Sequence, residues 1–132
     1  MEYVITFPGG LRVDARYKDV TIQTDQTVKG GGEGSAPTPF MCFLSSIGTC
    51  AGFYVLQFCR SRDLPTDGIR LTQQMTLDPE THLVTTISID IHVPPTFPAK
   101  YHAALVRAAD QCTVKKHFET PPSISVQTVA DA

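Results

Sequence analysis

Residues 38–63, TPFMCFLSSIGTCAGFYVLQFCRSRD, decide the fold of this chain. Thr38 can cap a helix, and Pro39 suits the first helical position because its missing N–H needs no partner there. The apolar side chains that follow recur at helical spacing: Phe40, Phe43, Leu44, Ile47, Ala51, Tyr54, Val55 and Phe58. The pattern predicts a long helix that ends between Arg60 and Asp63, with an apolar stripe wide enough to be heavily buried.

Strand patterns lie on both sides of this helix. Alternating apolar residues predict three short strands before it, near residues 3–7, 11–15 and 20–24, and a hairpin after it, residues 69–77 and 83–93. A proline-rich stretch then opens a shorter helix or helix pair whose buried face carries Tyr101, Leu105, Ala108, Ala109 and Cys112. A last strand is expected from Ile124 to Val129. The order βββ-α-ββ-α(α)-β predicts an α+β fold with a long central helix.

Composition limits the classes of function. The 132 residues and 42% hydrophobic content suit one domain over residues 1–132. Eleven basic residues against 13 acidic ones give a net charge of −2, so nucleic acid and anionic membranes are not expected partners. The first residues lack the charged start and apolar run of a secretion signal, so none is expected, and no apolar stretch is expected to approach the roughly 20 residues that span a bilayer. We therefore expect a cytoplasmic protein.

Four cysteines carry the possible chemistry, since cytoplasmic thiols stay reduced. Cys50 falls within the apolar stripe of the long helix, and Cys112 shares the buried face of the later helix. Helices that pack by these faces could bring the two sulfurs together. The spacing equally allows two core residues, because free cysteine packs as a small hydrophobe. Cys42 and Cys59 point to other sides of the helix and are predicted to be packing or surface residues.

Other sites fit the sequence less well. No C-x-x-C pair or close Cys/His cluster favours a metal site. The glycine-rich loop, Gly30 to Gly34, lacks the Gly-Lys-Ser/Thr ending of a phosphate-binding loop. Its role stays open, and no cofactor is expected.

Two segments resemble the OsmC/Ohr family of small bacterial thiol-redox proteins. The first joins Gly34-Ser35-Ala36-Pro37-Thr38-Pro39 to Ile47-Gly48-Thr49-Cys50-Ala51, and the second is Ala108-Ala109-Asp110-Gln111-Cys112-Thr113-Val114. The predicted order of strands and helices is similar to that family's fold over nearly the whole chain. The resemblance implies an intertwined homodimer with two active sites at the subunit interface.

The resemblance also implies an antioxidant role in the stress response, with a definite chemistry. Cys50 would attack an organic or inorganic peroxide, Cys112 would resolve the product as a disulfide, and an external dithiol would reduce that disulfide. Neither a metal nor an organic cofactor is needed for these steps.

Activation of Cys50 is the physical difficulty. Burial in the middle of a helix raises the pKa of a thiol, and the N-terminus of its own helix is too distant to help, so we expect a cation nearby. The resembled family uses an arginine from the N-terminal strands, held by a glutamate at the start of the long helix. Arg16 is the predicted arginine, with Arg12 as the other candidate, whereas Phe40 and Met41 occupy the glutamate positions.

Because Phe40 and Met41 occupy the glutamate positions of the resembled family, the sequence is consistent with two functions. Phe40, Met41 and Phe43 could line an apolar pocket that favours bulky organic hydroperoxides over hydrogen peroxide. Alternatively, the chain is a binding protein on the same fold, with an apolar small molecule in the pocket and idle cysteines. A purely structural dimerisation module would leave the two matched cysteine segments unexplained.

Overall fold

The computed structural model describes residues 1–131, which fall into two compact units, Met1–Ser46 and the chain from Ile47 onward. The fold is α+β, as predicted, whereas the single domain remains a prediction. The elements are β1 (Val4–Gly9), β2 (Arg12–Tyr17), β3 (Val20–Thr24), α1 (Pro39–Ser61), β4 (Arg70–Leu77), β5 (Val84–His92), a 3-10 turn (Ala99–Tyr101), α2 (His102–Ala109) and α3 (Thr113–Glu119).

The N-terminal unit is built on an antiparallel sheet in the order β1-β2-β3. Arg16 in the central strand pairs with Val4 on one side and Thr21 on the other. The turn between β1 and β2 needs glycine, because Gly10 has a φ of +57°. Apolar side chains of this sheet are exposed in the described chain, among them Tyr3, Ile5, Phe7, Val20 and Ile22. The sheet therefore presents an unusually apolar surface.

Asp25 organises the glycine-rich loop that follows β3. Its carboxylate is 1% exposed and accepts hydrogen bonds from the Ser35 hydroxyl (2.6 Å), the Ser35 amide (3.0 Å) and the Gln26 amide (2.7 Å). The Ser35 hydroxyl contributes most to lowering the pKa of Asp25 from 3.8 to about 2. At Gly32 a Cβ atom would lie 2.2 Å from the carbonyl oxygen of Gln26, so only glycine fits. The glycines thus allow the loop to close on a buried carboxylate.

The second unit places the predicted hairpin against helices. Strands β4 and β5 pair in antiparallel register, with Leu71 opposite Ile91 and Met75 opposite Ile87. Leu71 and Ile91 pack against a buried cluster that α1, α2 and the segment before α2 supply: Val55, Phe58, Cys59, Phe97 and Leu105. This cluster is the core of the unit, and it fixes one face of α1.

Helix α1 combines a buried stripe with exposed apolar residues. The buried residues recur every three or four positions: Ile47, Ala51, Val55, Phe58 and Cys59. Phe53 and Leu56, on other faces, are exposed. By length and composition alone the helix could cross a membrane, so the expectation that no apolar stretch approaches this length was wrong. A core helix can meet the same criterion of length and composition, but only 17% of this stretch is buried within the described residues.

The predicted strand from Ile124 to Val129 is wrong for the described chain. Residues 121–131 form neither helix nor strand, and Ile124, Val126 and Val129 are 86%, 94% and 75% exposed. The alternation of apolar residues shows a segment suited to a strand, but a strand also needs a neighbouring backbone for its hydrogen bonds. Neither sheet of the described chain supplies that neighbour.

We expect Asp25 to make stability depend on pH. Because its pKa is lower in the folded than in the unfolded chain, its contribution is fully present above pH 3.8 and disappears as the pH falls through about 2. Urea unfolding should therefore show Asp25→Asn clearly less stable than wild type at pH 7, with the difference shrinking towards pH 2. Asp19→Asn, at an exposed turn position, is the control and should match wild type at pH 7. An Asp25→Asn deficit that is equal at both pH values would contradict this role.

Candidate active site

The structure brings Cys50 and Cys112 together. Cys50 lies near the middle of α1 and is half-buried, whereas Cys112 lies between α2 and α3 and is 2% exposed. Both are free thiols, and they form a hydrogen bond with each other. The Cys112 sulfur also lies 3.8 Å from the carbonyl oxygen of Ile47. The single proton on Cys112 thus has two acceptors, and ionisation of Cys50 draws it towards the Cys50 sulfur.

The two sulfurs cap helix α3. Cys112 is the N-cap residue, and its sulfur accepts the amide of Lys115 at 3.4 Å. The amides of Thr113 and Val114 lie close enough to the Cys50 sulfur to lower the pKa of its thiol. The amide of Lys116 donates to a backbone acceptor, the carbonyl oxygen of Cys112, at 3.1 Å. The amides that a helix start leaves without partners are therefore satisfied by sulfur.

The surroundings of Cys50 favour its thiolate. Burial is the largest single influence and raises the pKa of Cys50, but the amide of Val114, the thiol of Cys112 and the amide of Thr113 together outweigh it, so the pKa is lowered. From the sequence we expected a nearby cation to offset the burial of Cys50. In the structure the groups that lower its pKa are the Cys112 thiol and backbone amides of α3.

Cys112 shows the opposite shift. Burial raises its pKa most, the amide of Lys115 opposes this, and the proximity of Cys50 raises the pKa further. The two thiols therefore titrate as a coupled pair in which the first proton leaves Cys50. The arrangement lowers the pKa of one cysteine and raises that of the other without any difference in residue type.

The other two cysteines stand apart from this pair. Cys59 is 0% exposed within the core cluster of the second unit, where burial raises its pKa and the charge of Arg62 acts in the opposite direction. It is a packing residue, one of the two roles expected. Cys42 lies in the N-terminal part of α1 and is half-exposed.

The two candidate arginines lie in the N-terminal unit. Arg16 is an exposed residue of β2, and Arg12 begins the same strand with its guanidinium 3.8 Å from the carboxylate of Asp14. Cys50 and Cys112 belong to the other unit. The assignment of Arg16 as the activating cation stays a prediction.

Sequence reasoning missed two residues beside the sulfurs. The hydroxyl of Tyr54 lies 3.1 Å from the hydroxyl of Thr113, and either can donate. Tyr54 is four residues after Cys50 and therefore on the same face of α1, and Thr113 directly follows Cys112. These spacings were visible in the sequence, but Tyr54 was counted only as part of the apolar stripe.

Small residues let β4 approach α1 near Cys50. A Cβ atom at Gly48 would lie 2.6 Å from the side-chain oxygen of Gln73. Within residues 1–131, no group of three or more His, Cys, Asp and Glu side chains is arranged to hold a metal ion.

Several solved structures share this fold. A Psychrobacter arcticus 273-4 protein assigned to osmotic stress induction and detoxification response is 22% identical, with a TM-score of 0.70 over 86% of this chain and 85% of that one. An organic hydroperoxide resistance protein OsmC from Legionella pneumophila is 16% identical, with a TM-score of 0.55 over 89% of each chain. A Vibrio cholerae protein assigned to organic hydroperoxide resistance, with captopril bound in one of its active sites, is 17% identical, with a TM-score of 0.57 over 89% of this chain and 84% of that one.

Sequence comparison gives the family. A search of curated proteins found no significant match. The family model for OsmC-like proteins, in contrast, matches residues 32–127, most of the chain, and this range includes Cys50, Cys112 and the helices that carry them. The chain belongs to the OsmC family.

Proposed function

We propose that this protein is a homodimeric thiol peroxidase that reduces organic hydroperoxides, with Cys50 as the peroxidatic nucleophile and Cys112 as the resolving thiol. The observation that carries the proposal is the contact of the Cys50 sulfur with the Cys112 thiol and two backbone amides. Membership of the OsmC family supports a redox role in general. The structural relatives from Legionella and Vibrio, named for organic hydroperoxide resistance, support this substrate class.

The first step needs a thiolate at a half-exposed position, which Cys50 provides. Its sulfur attacks the terminal oxygen of the hydroperoxide, so an S–O bond forms while the O–O bond breaks. The electron pair of the broken bond leaves on the alkoxide, which takes a proton from water and departs as the alcohol. Cys50 is left as a sulfenic acid, oxidised by two electrons.

The second step needs a thiol already in contact, because a disulfide forms only between closely placed residues. The Cys112 sulfur attacks the Cys50 sulfur, the S–S bond forms, and the hydroxyl leaves as water with the proton of Cys112. An external dithiol then reduces the disulfide and is itself oxidised to a disulfide. This last requirement is why we also propose that the protein works in the cytoplasm, where dithiol reductants are maintained.

Intact mass under denaturing alkylation tests the mechanism. After brief exposure to a near-stoichiometric organic hydroperoxide, wild type should lose two hydrogens as a Cys50–Cys112 disulfide, whereas Cys112→Ser should trap an oxidised Cys50. Cys50→Ser should do neither, because the thiolate that attacks the peroxide is gone. Cys59→Ser is the matched control and should behave as wild type, since Cys59 is fully buried in the core.

The same measurement separates the rival function. If neither Cys50 nor Cys112 reacts in the folded wild-type protein, the peroxidase proposal fails. The binding-protein interpretation, in which the two cysteines are idle and the fold holds an apolar small molecule, would then be preferred.

The substrate class rests on apolar side chains near the start of α1. The rings of Phe40 and Phe43 stack with centroids 5.8 Å apart, and both are exposed, as is Met41. Phe43 is about two turns before Cys50 on the same helix and close to the same face. We propose that these side chains take up the organic part of the hydroperoxide.

We therefore expect kcat/KM for cumene hydroperoxide to exceed that for hydrogen peroxide. Phe43→Ala should lower kcat/KM for cumene hydroperoxide by about tenfold, because an apolar contact in a pocket is worth about this much. Turnover of hydrogen peroxide by the same variant should stay close to the wild-type value. Equal kcat/KM for the two peroxides in the wild type would sink the preference.

Unpaired apolar surface supports the homodimer. The exposed side chains of the N-terminal sheet, of α1 and of the C-terminal segment leave more apolar surface than single chains usually expose. Residues 124–129 alternate as in a strand but lack a partner within the described chain. We propose that a second copy supplies the backbone with which this segment pairs.

Sedimentation at several concentrations tests the dimer. Wild type should sediment as a dimer, and Val126→Pro should weaken association by about tenfold or more, because proline removes a ladder hydrogen bond. Val126→Thr keeps strand propensity and is the matched control, expected to associate like wild type. A wild-type chain that stays monomeric at all concentrations would exclude this assembly.

A further inference from the structure

Helix α3 has few features within its own residues that stabilise it. It spans seven residues, Thr113–Glu119, none of which is buried, and its first turn contains no acidic residue. A helix of this length is unstable alone in water, so its position must come from contacts with the rest of the chain. At its first turn those contacts are polar: the cap made by Cys112 and the hydrogen bond between Tyr54 and Thr113.

The hydrogen bond between Tyr54 and Thr113 spans the two helices that meet at the thiols. Tyr54 stands four residues after Cys50 on α1, and Thr113 is the first residue of α3, next to Cys112. The hydroxyl contact of 3.1 Å therefore ties the first turn of α3 to the face of α1 that carries Cys50. A shift of this turn would move the amides of Thr113 and Val114 away from the Cys50 sulfur, and hydrogen bonds weaken steeply with distance and angle.

We propose that Tyr54 and Thr113 are positioning residues, which hold the first turn of α3 so that its amides face the sulfur of Cys50. Their role in catalysis rests on the proposed function, in which Cys50 is the nucleophile. The positioning itself does not, because it concerns the ionisation of Cys50 whether or not a peroxide reacts.

The titratable groups around this contact are few. Tyr54 itself comes from α1 and Cys112 from the segment before α3. Helix α3 contributes Lys115, whose ammonium is paired with the carboxylate of Asp110, and His117, whose ring Nδ1 lies 2.7 Å from the carbonyl oxygen of Thr113. The variants Tyr54→Phe and Thr113→Val remove one hydroxyl each and keep the side chain's shape, the backbone amides and all of these charges. Any change in the behaviour of Cys50 then reports on the position of α3.

The test is the rate of Cys50 alkylation by iodoacetamide as a function of pH, with the modified peptide located by mass spectrometry. Wild type should show a midpoint below that of an ordinary thiol. In Tyr54→Phe and in Thr113→Val the midpoint should move upward by about half a unit to one unit, the size expected for losing well-placed hydrogen bonds to a thiolate. Thr113→Ser, which keeps the hydroxyl, should restore the wild-type midpoint.

Two further variants show whether the pair acts as one unit. The double variant Tyr54→Phe/Thr113→Val should shift the midpoint no further than either single variant, because both break the same hydrogen bond. Tyr101→Phe removes a hydroxyl from a ring that packs on Phe58, and it should leave the midpoint unchanged.

The outcomes separate this inference from the proposed function. Wild-type midpoints in folded Tyr54→Phe and Thr113→Val overturn the positioning role, even if the protein is a peroxidase. Shifted midpoints that Thr113→Ser restores support the positioning role, even if no peroxide is turned over. Additive shifts in the double variant overturn it as well, since they would show two independent effects.

Discussion

Backbone amides at the start of a helix need acceptors, and in this chain the acceptors for α3 are two sulfur atoms. Cys112 accepts the amide of Lys115, and the amides of Thr113 and Val114 favour the thiolate of Cys50. These bonds join α1 to α3 at the one place where two thiols touch. They also explain why Cys50 loses its proton before Cys112, although burial raises the pKa of both thiols.

The long helix, the two sheets and the pair of short helices could be predicted from the sequence because each has its own period of apolar residues. The faces on which Cys50 and Cys112 lie allowed their contact without requiring it. The cap on α3 could not be predicted, since spacing within one element does not tell which end of another element abuts it. The prediction of a strand from Ile124 to Val129 was wrong for a related reason. A strand depends on a partner backbone as well as on the alternation of its own apolar residues. For the cation that activates Cys50, the sequence offers Arg16 only as a candidate.

The donors around Cys50 bear on the departure from the family pattern at Phe40 and Met41. Amides supply partial positive charge without a side chain that must itself be desolvated or anchored by an acid. Their effect is short-ranged and, at a half-buried sulfur, is little screened by dissolved salt. Backbone amides therefore give the Cys50 thiolate a local source of stabilisation. In the N-terminal unit, Asp25 is a comparable case, a buried carboxylate whose hydrogen-bond donors come from its own loop and not from another helix.

The same hydrogen bonds have a reciprocal effect on the helix that donates them. If the folded first turn of α3 favours the thiolate of Cys50 over its thiol, then by thermodynamic linkage the thiolate favours the folded turn to the same extent. The negative charge on the Cys50 sulfur thus stabilises the seven-residue helix α3. Protonation, alkylation or oxidation of Cys50 removes that charge. The local order of α3, and of the chain that continues from it, then changes with the chemical state of the Cys50 sulfur.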